Sequence, residues 1–152
     1  MFFDQKIIKL QADVQSSTEI ITLLAQMLKQ KTIVKDNYLT HVLAREKNFP
    51  TGLQLENGIG VAIPHTDSEY VNTSQIAVAT LKKPVVFKSM VNKAVDVEVS
   101  LVFMIAMSKP HEQAQLLSNL MTFCQNKQAI AELLAERNPQ NVEQILNKYD
   151  LK

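Results

Sequence analysis

The spacing of apolar and polar residues predicts helices in the first and last thirds of the chain and strands in between. Residues 16–30 begin with a polar run of capping-box form and continue with apolar residues at helical spacing, which predicts the first long helix. Asp36 is predicted to cap a second helix, which ends near Pro50 because proline cannot continue it. A short strand is predicted before both helices, at residues 5–11.

Apolar runs of strand length dominate the middle of the chain. The longest run first alternates apolar and acidic residues and then becomes continuously apolar, as expected for a strand whose end is buried on both faces. The predicted strands are residues 58–63, 76–82 and 95–106, with 84–87 extending or following the second, and residues 51–59 form a loop or irregular hairpin.

The last third of the chain returns to helical spacing. Ser108 is predicted to cap a helix that begins at Pro110, and two further helices are predicted at residues 127–136 and 139–149. The order of helices, strands and helices predicts a single α/β domain over residues 1–152. We expect a three-layer α/β/α arrangement, with a mixed central β-sheet and helices on both faces. The order of the strands stays open at this point.

Composition limits the possible partners of this domain. The net charge is +1, which gives no electrostatic footprint for nucleic acid or an anionic membrane. No apolar run is long enough to span a bilayer, and Lys6 and Lys9 interrupt any signal-peptide core. Cys124 is the single cysteine, which excludes an internal disulfide and fits a reducing cytoplasm. Its position in an apolar helix predicts a buried, structural thiol.

His65 is the first candidate for chemistry. It follows directly after a predicted strand, and Pro64 ends regular pairing there because proline has no N–H and a fixed φ. A neutral imidazole at such a rigid position can act as a nucleophile and carry a phosphoryl group, although a plain polar loop residue is the simpler alternative. His111 follows the long apolar strand and reaches the same sheet edge if the two strands are neighbours. His41 lies mid-helix and is predicted to be at the surface.

Other kinds of site lack their usual spacing. No two histidines are four residues apart and there is no cysteine pair, so we expect no metal site and no cofactor. There is no G-x-S-x-G elbow for a hydrolase, and three glycines are too few for a P-loop. What remains is His65, His111 and Arg45, a set that suits phosphoryl transfer because an arginine fork can bind phosphoryl oxygens. A solvated charge at a helix end is the alternative for Arg45.

Several short motifs together resemble a known family, the type-2 (fructose/mannitol) IIA components of the bacterial phosphoenolpyruvate-dependent sugar phosphotransferase system. The resemblance covers nearly the whole chain, and residues 49–56 and 64–67 look most like the galactitol-type subgroup. The motifs that carry the resemblance are residues 44–46, 51–53 and 60–65, and His111 with residues 116–117.

The resemblance implies a role for each candidate residue. His65 matches the histidine that is phosphorylated on Nε2, accepting the group from the phosphocarrier protein HPr and passing it to a cysteine of the IIB component. Arg45 matches the arginine that stabilises the phosphoryl group. His111 matches a second histidine that helps through charge and hydrogen bonding.

The resemblance also implies the setting. The chain is expected to be a cytoplasmic IIA domain alone, with IIB and the membrane component IIC as separate chains, and with no direct contact to the sugar or polyol. A galactitol-like substrate is expected, and a regulatory nitrogen-type IIA is the alternative. Small partner interfaces favour an apolar rim around His65. Its candidate members are Phe49, Leu53, Leu55 and Tyr70.

Overall fold

The computed structural model describes residues 2–151, so Met1 and Lys152 of the predicted domain lie outside the described residues. Its centre is a five-stranded mixed sheet with the order β1-β4-β5-β3-β2. The pairs β1–β4 and β3–β5 are parallel, and the pairs β4–β5 and β2–β3 are antiparallel. The strands are β1 (Ile8–Ala12), β2 (Gly52–Gln54), β3 (Gly60–Ala62), β4 (Gln75–Lys88) and β5 (Asp96–Ala106).

Helices cover both faces of this sheet, which confirms the predicted fold class. Two helices share one apolar core with the sheet, and three helices share the core on the opposite face. The first pair is α1 (Ser17–Gln30) and α2 (Tyr38–Asn48), and the others are α3 (Pro110–Cys124), α4 (Lys127–Ala135) and α5 (Val142–Lys148). Short 3₁₀ helices occur at Ser68–Tyr70 and Pro139–Asn141.

The long apolar run of β5 has the predicted explanation. Val102 and Met104 belong to the core under α1 and α2, whereas Leu101 and Phe103 belong to the core under α3–α5. Successive side chains point to opposite faces of a strand, so a central strand between two helical layers is apolar at every position. The predicted segments 76–82 and 84–87 form one strand, β4, whose pairing with β5 shifts register between them.

The helix caps agree with the sequence only in part. Ser16 accepts a hydrogen bond from the backbone N–H of Glu19 at 3.1 Å, as predicted, while the Glu19 carboxylate accepts from the N–H of Gln15. The prediction that Asp36 caps α2 is wrong, because its exposed carboxylate lies 3.5 Å from the Lys29 ammonium. Asn37 occupies the cap position of α2 with a non-extended backbone and makes no side-chain cap.

Ser108 as the cap of α3 is also wrong, because its hydroxyl has another partner. Ser74 Oγ lies 3.1 Å from Ser108 Oγ and accepts the Ser108 N–H at 2.9 Å. The helix begins at Pro110 as predicted, but Lys109 and not Ser108 occupies the cap position, without a side-chain cap. Over residues 2–151, no helix has the length and apolar character needed to cross a membrane.

Gly60 allows β3 to approach β5 more closely than any other residue would. A Cβ at this position would lie 2.1 Å from the carbonyl oxygen of Glu98, a backbone atom that cannot move aside like a flexible side chain. Gly60→Ala is therefore expected to lower the free energy of unfolding by roughly 2–3 kcal/mol, the upper range for overpacking, as measured by urea denaturation.

The matched control is Gly58→Asn. A Cβ added at Gly58 would meet nothing within 4 Å, but its φ is +85°, a conformation that asparagine tolerates better than most residues. We expect this control to cost less than about 1 kcal/mol. Equal losses of stability in the two variants would contradict the close approach at Gly60.

Candidate functional site

His65 lies at the sheet edge where β3 and β5 end. The two strands are parallel neighbours, so the segment after β3 runs beside the end of β5. The N–H of Ile105 donates to the carbonyl oxygen of Pro64 at 3.0 Å, which extends the pairing beyond Ala62. Pro64 is buried and His65 is half-buried. His65 lies three residues beyond the end of β3, and the bond between Ile105 and Pro64 holds the backbone before it against β5.

The imidazole of His65 has a defined orientation. Its Nδ1 lies 2.8 Å from the carbonyl oxygen of Ile63. A carbonyl oxygen only accepts hydrogen bonds, so this contact requires the proton on Nδ1. In the neutral ring, Nε2 then carries the free lone pair. The local backbone thus leaves Nε2 as the ring nitrogen with a free lone pair.

The surroundings of His65 favour the neutral ring. Burial is the main cause that lowers the pKa of His65 below its usual value, and the nearby Arg45 guanidinium lowers this pKa further. The Ile63 carbonyl and the Asp67 carboxylate act in the opposite direction without reversing the shift. The lowered pKa favours the unprotonated imidazole at neutral pH.

Arg45 combines a position near His65 with unused hydrogen-bonding capacity. It lies in the last turn of α2, and its Cζ is 5.5 Å from the centroid of the Phe49 ring. Its Nε is buried and, among the described residues, has no hydrogen-bond partner. A buried donor without a partner is costly, so this Nε beside His65 is available to bind an anion.

Thr51 and Glu46 form a hydrogen-bonded pair behind the His65 segment. The N–H and the hydroxyl of Thr51 donate to the two oxygens of Glu46 at 2.8 and 2.7 Å. The Thr51 oxygen in turn accepts the N–H of Ile63 at 3.2 Å. Burial raises the pKa of Glu46, while its bonds to Thr51 oppose this shift. Both residues occur in the family motifs, but the sequence alone gave no contact between them.

Tyr38 is a further residue of this edge that the sequence did not indicate. Its ring is fully buried in α2, and its hydroxyl donates to the carbonyl oxygen of Ile105 at 2.7 Å. Burial raises the pKa of Tyr38, so the hydroxyl keeps its proton and remains a donor. Since Ile105 also binds Pro64, Tyr38 ties α2 to the backbone beside His65.

The two other histidines differ in their relation to His65. His111 lies in the first turn of α3, which follows β5. Because β3 and β5 are parallel neighbours, His111 and His65 lie at the same edge of the sheet, as predicted for neighbouring strands. Its side chain is exposed, however, and none of the described interactions joins it to His65 or Arg45. His41 corrects the prediction of a surface residue: it is half-buried and stacks on Tyr70, with ring centroids 3.9 Å apart.

The predicted apolar rim is only partly available to a partner. Phe49 is 66% exposed. Tyr70 and Leu55 are partly buried against the two cores, and Leu53 is half-buried. Cys124 is buried as predicted, and burial raises its pKa to about 12, so it is unsuited to carrying a group as a thiolate. Within residues 2–151 no three His, Cys, Asp or Glu side chains are grouped to bind a metal ion.

Comparison with known proteins identifies the family. Residues 1–149 match the family model described as "Phosphoenolpyruvate-dependent sugar phosphotransferase system, EIIA 2". The chain belongs to the EIIA 2 family. As an EIIA 2 protein it is a phosphotransferase component that carries a phosphoryl group, in agreement with the prediction from the sequence.

Relatives of two kinds resemble this EIIA 2 chain. It is 29% identical to the galactitol-specific EIIA component of Escherichia coli over 88% of this chain and 87% of that protein. It is 32% identical to the transcriptional regulator ManR of Bacillus subtilis over 85% of this chain, but spans only 18% of that longer protein. The fold matches enzyme IIAMTL in its complex with phosphorylated enzyme IIBMTL from Escherichia coli. That match has a TM-score of 0.74 and 21% identity, and covers 94% of this chain and 95% of the other.

Proposed function

We propose that Nε2 of His65 accepts a phosphoryl group from phospho-HPr and passes it to a cysteine of a IIB component. A bond from Nε2 to phosphorus forms while the bond to the donor breaks, and the reverse occurs at Nε2 when the IIB thiolate attacks. The observation that carries this proposal is the Nδ1 contact with the Ile63 carbonyl, which leaves Nε2 as the free nitrogen beside Arg45.

Arg45 and His111 are proposed to assist in different ways. The guanidinium of Arg45 would bind the equatorial oxygens, over which charge is spread in a loose, in-line transition state. Its unpartnered Nε supports this role, since a phosphoryl oxygen would satisfy it. His111 lies at the same sheet edge, but its side chain is exposed. We therefore propose that it makes a secondary contact with the phosphoryl group and is not itself phosphorylated.

The relay is proposed to serve uptake of a galactitol-like polyol. Similarity to a galactitol-specific EIIA component over most of its length supports this choice. The domain would meet HPr and IIB in the cytoplasm, would act on the membrane component IIC only through IIB, and would not touch the sugar. The apolar rim around His65, of which Phe49 is the most exposed residue, suits partners that bind briefly.

A regulatory role is the second candidate. The similarity to a segment of a transcriptional regulator supports it, at slightly higher identity than the similarity to the galactitol-specific component. In this case the phosphorylation of His65 would be sensed by a protein partner and would not be passed to IIB.

One experiment tests the function and separates the two candidates. The chain is incubated with radiolabelled phosphoenolpyruvate, enzyme I and HPr, and an acid-labile, base-stable label that requires HPr is expected. A galactitol-type IIB is then added, and transfer of the label to it supports the uptake role. A label that forms but never reaches IIB favours the regulatory role. The absence of any label would overturn the carrier function.

A further inference from the structure

We propose that Thr51, held by Glu46, is a positioning residue that keeps the proton of His65 on Nδ1 by fixing the backbone of Ile63. This inference rests on the proposed function, in which Nε2 of His65 is the acceptor. Neither Thr51 nor Glu46 is placed in contact with the phosphoryl group. Both act through the peptide groups on either side of Ile63.

The hydroxyl of Thr51 can be oriented in only one way. It has a single hydrogen, which is donated to the Glu46 carboxylate at 2.7 Å. Its lone pairs are therefore free to accept the Ile63 N–H, which lies 3.2 Å away. The Thr51 N–H binds the second oxygen of Glu46, and Thr51 is only 5% exposed. The carboxylate thus turns the threonine into a fixed acceptor.

Ile63 connects this fixed acceptor to the imidazole. Its N–H is held by Thr51, and its carbonyl oxygen accepts from Nδ1 of His65 at 2.8 Å. Ile63 follows the last residue of β3 and precedes Pro64, which restricts its backbone to extended conformations. Within that range, the hydrogen bond to Thr51 sets the rotation of Ile63 and hence the direction in which its carbonyl points.

The tautomer of His65 depends on this direction. The position of the proton on a neutral imidazole is set by the hydrogen bond that one ring nitrogen makes. If the Ile63 carbonyl turns away, the proton can move to Nε2, and the nitrogen proposed to attack phosphorus loses its lone pair. A side chain twelve residues earlier in the sequence thereby controls which nitrogen is the nucleophile.

The test compares Thr51→Val with Thr51→Ser. Valine keeps the branched shape but has no oxygen, whereas serine keeps the hydroxyl. Thr51→Val is expected to increase the Nε2–H tautomer of His65, observed through nitrogen-15 NMR of the imidazole. Its kcat for phosphorylation by phospho-HPr is expected to fall by about 10- to 100-fold with KM unchanged, the range known for outer partners of metal-bound histidines. Thr51→Ser should restore the wild-type tautomer and most of the rate.

Two results would overturn the proposal. The first is a Thr51→Val variant whose His65 tautomer and phosphorylation rate both equal those of the wild type. The second is a Thr51→Val variant that is phosphorylated slowly although its tautomer is that of the wild type, with a rate that Thr51→Ser does not restore. If Thr51→Val does not fold, Glu46→Gln gives the same readout, because it removes the charge that orients the hydroxyl at nearly constant shape. The tautomer is measured without any phosphoryl donor. A wild-type protein that takes no label would therefore contradict the proposed function and still leave the positioning role to be decided by the NMR comparison.

Discussion

His65→Asn is expected to abolish acceptance of the phosphoryl group, with a loss on the order of 10⁴-fold or more in labelling rate, because the covalent nucleophile is removed. Asparagine is smaller than histidine and its amide can still donate to the Ile63 carbonyl, so the strand end should keep its conformation. It has no nitrogen lone pair that could attack phosphorus. The measurement is incorporation of label from radiolabelled phosphoenolpyruvate in the presence of enzyme I and HPr.

His41→Asn is the matched control for this experiment. His41 is also a half-buried histidine, but it stacks on Tyr70 and is not predicted to react. This variant should be labelled at close to the wild-type rate, and circular dichroism should show that both variants fold. Full labelling of His65→Asn, or a label mapped to His111 in the wild-type chain, would show that the acceptor has been assigned wrongly.

Arg45→Gln is expected to slow phosphorylation by roughly 100-fold, the loss seen when a donor to a charged transition state is removed. Glutamine keeps a polar side chain of moderate length but has neither the charge nor the planar fork. The same change should raise the pKa of His65, because the guanidinium is one of the causes that lower it, although burial remains the larger cause. The rate is measured with phospho-HPr, and the pKa by NMR titration of the ring.

Two controls separate the charge of Arg45 from its shape. Arg45→Lys keeps the charge, so the pKa of His65 should stay low while the rate is only partly retained. Lys47→Gln removes an exposed charge from the same turn of α2 and should change neither quantity. If Arg45→Gln behaves like Lys47→Gln in both measurements, Arg45 is a solvated helix-end charge, the alternative that its sequence position already offered.

Local sequence signals predicted the parts of the fold that depend on near neighbours. The capping serine of α1 and the apolar run of β5 appear as expected, whereas β3 ends at Ala62, before Ile63 and Pro64. Predictions failed where a distant group competes for the same side chain. Ser108 does not cap α3 because Ser74, thirty-four residues earlier, binds its hydroxyl and N–H, and Asp36 lies beside Lys29 instead of capping α2.

The sequence by itself indicated the family of this protein, which the family match confirms, and it predicted His65 as the nucleophile. His65 directly follows the apolar run 58–63 and Pro64, and the surrounding motifs indicate an EIIA 2 protein. Only the tertiary structure decided which nitrogen of His65 is free and that Arg45 lies close enough to lower the pKa of His65. It also decided that Glu46 binds Thr51 and that Thr51 accepts the N–H of Ile63. The physical reason is that hydrogen bonds and electrostatic shifts act over a few ångströms in space. Chain folding alone brings α2, β2 and the end of β3 within that range.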